Sequence, residues 1–172
     1  MSLVKSIGGK KVNFDFNKDF ISIFSDKIIS GDLRFINQTL KDLHPSDVAN
    51  LIEILSADTR AKLIEIEEFN IDPEIFIEIN ESIQSEVLQL LSPDSIAMIL
   101  KRLESDNSIA ILENLDSDKK NSVLDKLPPK DRFLLEEGLS YPEDSAARIM
   151  QREFTAVPSN WSIGQTIDYL RE

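Results

Sequence analysis

The chain has 172 residues, a net charge of −12 from 31 acidic against 19 basic side chains, and 41% hydrophobic content, enough for one domain and part of another without covalent staples. The absence of cysteine excludes disulfides and thiolate metal sites and fits a reducing compartment. The acidic balance argues against a nucleic-acid partner, since phosphate binding needs a basic face, and no apolar run approaches the roughly 20 residues that span a bilayer.

Residues 4–13 surround Gly8-Gly9-Lys10-Lys11 without apolar periodicity and predict a mobile lead, so residues 1–15 read as a flexible lead or tag. Gly-Gly-Lys lacks the spacing and flanking strand of a phosphate loop. Phe16, Phe20, Ile23, Phe24 and Ile28 then follow helical spacing. Gly31 stops that helix, Asp32 caps the next, and Leu33, Ile36, Leu40 and Leu43 form its stripe. The pair is expected to cover the first end of the array that follows.

Between Pro45 and Leu139 aliphatic residues return every twelve positions. With units starting at 45, 57, 69, 81, 93, 105, 117 and 129, the seventh position holds Leu51, Leu63, Ile75, Val87, Ile99, Ile111, Val123 and Leu135. The eighth runs Ile52, Ile64, Phe76, Leu88, Leu100, Leu112 and Leu124 before Glu136 breaks it; the eleventh is aliphatic except at Glu67. Positions seven, eight and eleven lie on one helical face. Twelve residues at about 100° each overshoot whole turns by roughly a third of a turn, so one unbroken helix would carry the stripe into water. The chain must turn between units.

The punctuation agrees. Pro45-Ser46-Asp47, Ala57-Asp58-Thr59, Ser92-Pro93-Asp94, Ser105-Asp106, Ser117-Asp118 and Pro128-Pro129-Lys130-Asp131 are helix openers. Phe69-Asn70-Ile71-Asp72-Pro73 delays the third helix, which is predicted to start at Pro73 with Asp72 as cap. Helices this short must bury their stripe against neighbours. The predicted fold is all-α: a right-handed superhelical solenoid in which two units form a helical hairpin of about 24 residues.

After Leu139 the pattern changes. Tyr141-Pro142-Glu143-Asp144-Ser145-Ala146-Ala147-Arg148-Ile149-Met150 predicts a short capped helix, Phe154-Thr155-Ala156-Val157 a strand, and Ser162 the cap of a last helix carrying Ile163, Ile167 and Leu170 on one face. A lone strand and helix build no core, so the chain is expected to stop inside a second domain.

These residues resemble the cytosolic N-terminal domain of MgtE-type magnesium transporters and channels. The resemblance rests on Leu43-His44-Pro45-Ser46-Asp47-Val48-Ala49, on the twelve-residue units, and on the Tyr141-to-Ala146 signature. Met150 through Glu172, with Phe154-Thr155-Ala156-Val157-Pro158 and Trp161-Ser162-Ile163-Gly164, looks like the opening of the CBS domain that follows in that family. One departure is Ala147, where the family signature has glycine. The implied organisation is a solenoid over 16–140, a linker helix over 141–153 and an incomplete CBS beginning over 154–172. The implied partners are the CBS domains and transmembrane pore of the same full-length polypeptide, in a homodimer at the cytoplasmic face of the cell membrane.

Asp47, Asp58, Asp94, Asp106, Asp118 and Asp131 all stand near helix starts, where capping and the positive end of the helix dipole explain them structurally. Mg²⁺ keeps several waters and needs only one or two carboxylates, so such residues could also serve an ion. By resemblance, an aspartate opening a late helix of this domain helps bind weak, regulatory Mg²⁺ against a CBS domain. Asp106 matches that position best, with Asp94 and Glu104 as neighbours. His44, the one histidine, reads as a cap or packing residue. With no second base and no strand-turn-helix context for a serine, no enzyme is expected. Glu65, Glu67 and Glu68 read as a solvated helix face.

The function implied is a magnesium-sensing regulatory domain that gates a pore through ion bridging of acidic surfaces. The alternative is an α-solenoid interaction scaffold similar to the N-terminal module of the flagellar motor switch family, without ion sensing.

Overall fold

Each twelve-residue unit holds one short helix, opened by a polar or proline-bearing start and closed near the end of the unit. The structure, a computed structural model, describes residues 16–67, 72–152 and 155–171, which contain helices and no strand. A leading pair, α1 (Lys18–Ser30) and α2 (Leu33–Lys41), precedes eight repeat helices. These are α3 (Pro45–Ile54), α4 (Ala57–Glu67), α5 (Ile75–Glu78), α6 (Glu81–Leu90), α7 (Pro93–Leu100), α8 (Ser105–Glu113), α9 (Ser117–Leu124) and α10 (Pro129–Ser140). One turn, α11 (Ala146–Ile149), and α12 (Ile163–Leu170) close the chain. The lead over 4–13 lies outside the described residues, as do Glu68 and the Phe69-Asn70-Ile71 delay.

Several starts are held by the side chain of the preceding residue. Ser92 Oγ accepts from the Ser95 N–H at 3.2 Å, and Asp116 Oδ1 from the Lys119 N–H at 2.9 Å. At α3 the cap is His44, whose Nδ1 accepts from the Ser46 N–H at 3.3 Å. At Gly31 φ is +71°, the left-handed conformation that ends α1, and its N–H returns to the Ile28 carbonyl.

The ends come in two forms. Leu55, Ile79 and Leu91, eleventh in their units, are extended C-caps whose N–H groups bond back to Leu51, Ile75 and Val87. Leu103, Leu115 and Leu127, in later units, bond back instead to the eighth residues Leu100, Leu112 and Leu124. Both forms turn the chain sharply and drop an aliphatic side chain into the core. The third unit is the exception at its start: Pro73 and Glu74 form a turn, Asp72 Oδ1 accepts from the Glu74 N–H at 3.1 Å, and the helix begins only at Ile75. Proline with an aspartate cap makes a tight Asx turn here rather than a first helical turn.

Among the repeat helices the most extensive contacts join alternate ones, α3 with α5, α4 with α6, α7 with α9 and α8 with α10, and α1 packs on α4 and α2. Two layers of helices therefore enclose one hydrophobic core. All eight seventh-position residues are buried, as are the seven apolar eighth-position residues, whereas Glu136 is exposed. The α1–α2 pair adds Phe24, Ile28 and Ile36, each fully buried, at the open end of the stack. Phe16, Phe20 and Phe24 line up along α1, with centroids 5.5 and 5.8 Å apart.

Several helix ends expose carbonyls that are satisfied by cations from elsewhere in the stack. Lys62 Nζ reaches the Ile29 carbonyl at 3.1 Å and Lys119 Nζ the Gln89 carbonyl at 2.9 Å. The buried Arg60 donates Nε to the Ile52 carbonyl and Nη2 to the Leu55 carbonyl, both at 2.9 Å, and Nη1 to Glu86 of α6.

The tail is simpler than its sequence suggested. No strand forms at Thr155–Val157, and Phe154 lies outside the described residues; an extended segment without a neighbour has no ladder to join. Ser162 and Gln165 close a capping box at the start of α12. Ile163, Ile167 and Leu170 on that helix are exposed, and Trp161 packs edge-on against Tyr169 at 5.3 Å.

Candidate functional site

Asp94, Glu104 and Asp106 stand at the starts of two consecutive helices. Asp94 and Asp106 are the second residues of α7 and α8, past the cap, so the first-turn dipole favours their charge while the cap bond is made elsewhere or not at all. For α7 the cap bond comes from Ser92. At α8 the cap position is Glu104, and its side chain makes no cap hydrogen bond.

The three residues differ in what already engages them. Asp94 Oδ2 lies 3.1 Å from Lys126 Nζ, an exposed ion pair between α7 and the turn that follows α9. Asp106 is half-buried, with Oδ1 accepting from the Asn107 N–H at 2.8 Å. Glu104 is exposed. Glu104 and Asp106 thus share one helix start, and Asp94 belongs to another with a cation beside it. Among the described residues no three His, Cys, Asp or Glu side chains gather as a metal-holding group. The donor set at the start of α8 is all oxygen and at most two carboxylates, which suits a hard cation that keeps most of its water and does not suit a closed cage.

Asp47, Asp58, Asp118 and Asp131 lie in the first turns of α3, α4, α9 and α10. His44 is spent on its cap and on the Ser46 hydroxyl at 2.9 Å. A cavity of about 350 Å³ lined by Leu40, Leu43, Val48, Ile52, Leu63 and Ile64 lies among α2, α3 and α4, on other helices than the carboxylates.

Periodicity gave no hint of the polar framework around α8. Ser105, its first residue, is buried and its Oγ accepts the Arg152 N–H at 3.0 Å. Glu113, its last residue, receives Arg148 Nε at 2.5 Å. Arg148 sits in the run that follows the Tyr141 signature, which was the one available pointer to it.

No helix among the described residues is long and apolar enough to cross a membrane. No curated protein matches the chain in sequence. Solved structures similar to it include two from magnesium transport. The soluble part of a magnesium transporter has a TM-score of 0.69 at 19% identity, over 88% of this chain and 60% of that one, a likeness of fold alone. The cytosolic domain of the Mg²⁺ channel MgtE in complex with ATP has a TM-score of 0.73 at 25% identity, over 85% of this chain and 60% of that one. The chain therefore spans about 60% of the length of each. Residues 43–144, more than half of the sequence, match the family described as the MgtE intracellular N domain, and the chain belongs to that family.

Proposed function

We propose that this chain is the magnesium-sensing regulatory part of an MgtE-type magnesium transporter or channel, working at the cytoplasmic face of the membrane. Family membership carries the reading. The similar cytosolic domain of a Mg²⁺ channel supports it. Within the chain, Glu104 and Asp106 are the residues that would hold the ion, with Asp94 the weaker third because Lys126 already neutralises it.

The mechanism is electrostatic. A net charge of −12 makes this domain repel any acidic neighbour, and the α8 start would face such a neighbour, by family resemblance a CBS domain of the same polypeptide. When bound there, Mg²⁺ supplies positive charge between carboxylates on the two sides. The carboxylates of Glu104 and Asp106 then attract where they had repelled, and the closed arrangement gains population to the extent that it binds the ion better than the open one. Closure of the cytosolic part closes the pore.

The test is a titration of Mg²⁺ through the millimolar range, followed by amide shifts in this chain and by scattering of the longest soluble polypeptide that carries it. Residues 104–107 are expected to shift, the radius of gyration to fall, and Asp106→Asn to weaken both responses. Constant shifts and a constant radius up to tens of millimolar would remove the sensing claim.

A further inference from the structure

Beyond the last repeat helix the chain would be free to swing if only α10 held it. Instead residues 141–152 return along α8. Arg148, buried to 7% exposure, donates Nη1 to the carbonyls of Gly138 and Tyr141 at 3.1 and 3.2 Å, which closes the C-terminal end of α10. The same guanidinium binds Glu113, the last residue of α8. Four residues on, the Arg152 N–H donates to Ser105 Oγ, at the first residue of α8. The Arg152 guanidinium folds back to the Ala147 carbonyl at 2.8 Å and lies 5.6 Å over the Tyr141 ring. Gly138 makes room for this arrangement: a Cβ there would collide with Ile109 Cδ1, in the middle of α8, and stand 3.1 Å from Arg152 Nη1.

The two grips lie at opposite ends of α8, about 12 Å apart at 1.5 Å per residue. A segment tied to a helix at one point can pivot; tied at two separated points it cannot. We propose that residues 141–152 form a strap fixed at both ends of α8, so that the chain after Arg152 is held in register with α8 and follows its movement instead of hinging at the end of α10. The helix that carries Glu104 and Asp106 in its opening turn is then the one that sets the direction of what comes next. The strap itself needs no ion.

Hydrogen exchange of the whole chain tests this, with the Arg148 and Arg152 amides as reporters. Ser105→Ala removes one grip and the near-isosteric Glu113→Gln weakens the other. Each variant is expected to speed exchange at both amides by about tenfold, although Ser105→Ala touches only the Arg152 amide and Glu113→Gln only the Arg148 side chain, while amides of α3 to α6 keep their rates. Arg148→Lys, which retains the charge but not the fork of hydrogen bonds, is expected to reproduce the Glu113→Gln pattern. Acceleration confined to the amide nearest each substitution would mean two unrelated contacts and would overturn the strap. Acceleration that spreads through α3 to α6 would overturn it as well, because the whole stack would then have loosened. Neither arm uses Mg²⁺, so failure of the strap and failure of the sensing proposal are separate results.

Discussion

Arg60 shows how one side chain can hold two layers together. Its guanidinium is 5% exposed and satisfies two carbonyls where α3 ends, while pairing with Glu86 from α6. Arg60→Ala would strand those carbonyls and leave Glu86 without its cation, at an expected cost of about 2–4 kcal/mol in urea unfolding. Glu86→Gln should cost less, since its carboxylate is 38% exposed and partly screened. Asp116 makes a pH-dependent contribution. The Lys119 N–H that it accepts holds its carboxyl below the ordinary value of 3.8; Asp32 is held down in the same way, first by the Lys27 ammonium. A depressed native pKa gives stability that is complete above the ordinary carboxylate range and lost as pH falls through the native value. Unfolding midpoints should therefore fall as the pH is lowered below about 4, and Asp116→Asn, which keeps a capping oxygen, should make that fall shallower. The buried aliphatic residues were legible from their spacing, because every seventh position points the same way. Arg60, Arg148 and Ser105 were not, because their partners lie 26, 35 and 47 residues away and follow no period.

Among the helices, starts were easier to read than ends. Ser92-Pro93-Asp94 states a start outright, since serine supplies an acceptor and proline has no N–H to lose. Asp94, Asp106 and Asp118, expected as caps or dipole partners, take only the second role. The ends were hidden because no helix breaker marks them: α3, α5 and α6 end at an ordinary leucine or isoleucine in extended backbone, and α7, α8 and α9 at Lys101, Asn114 and Asp125. Glycine 138 is a case where one atom limits how two helices meet. Gly138→Ala would force Ile109, 2% exposed, out of its place between α8 and α10, with an expected loss of about 1–3 kcal/mol in thermal or urea unfolding. Pairing it with Ile109→Val, which removes the colliding methyl, should recover part of that loss, and failure to recover any would relocate the strain to Arg152.

Across the molecule, the candidate ion site was the least legible part. Family resemblance pointed to Asp106, and the structure adds that Glu104 shares its helix start while Asp94 is occupied by Lys126. No spacing in these 172 residues singles out Glu104 and Asp106 from the other acidic helix openers. The layered packing of alternate helices is a property the period does encode. Each helix rests on the one two units away, so neighbours in sequence belong to opposite walls. Removing residues 93–116, an even number of units, would join α6 to α9 and leave every later helix in its own wall and running in its own direction. Removing 105–116 alone would send α9 and α10 to the other wall, reversed; Val123 and Leu135 would still face the core, since the seventh position is buried in both walls, but the pairing of Lys126 with Asp94 and of Lys119 with the Gln89 carbonyl would be lost. Both deletions should still melt cooperatively, whereas removal of half a unit, residues 105–110, should put the later columns out of step, lose the sharp transition and bind an apolar dye. Evolution by duplication in such an array is bound by the same measure: copying any whole unit preserves the inside, whereas copying a fraction of one turns every later helix out of step.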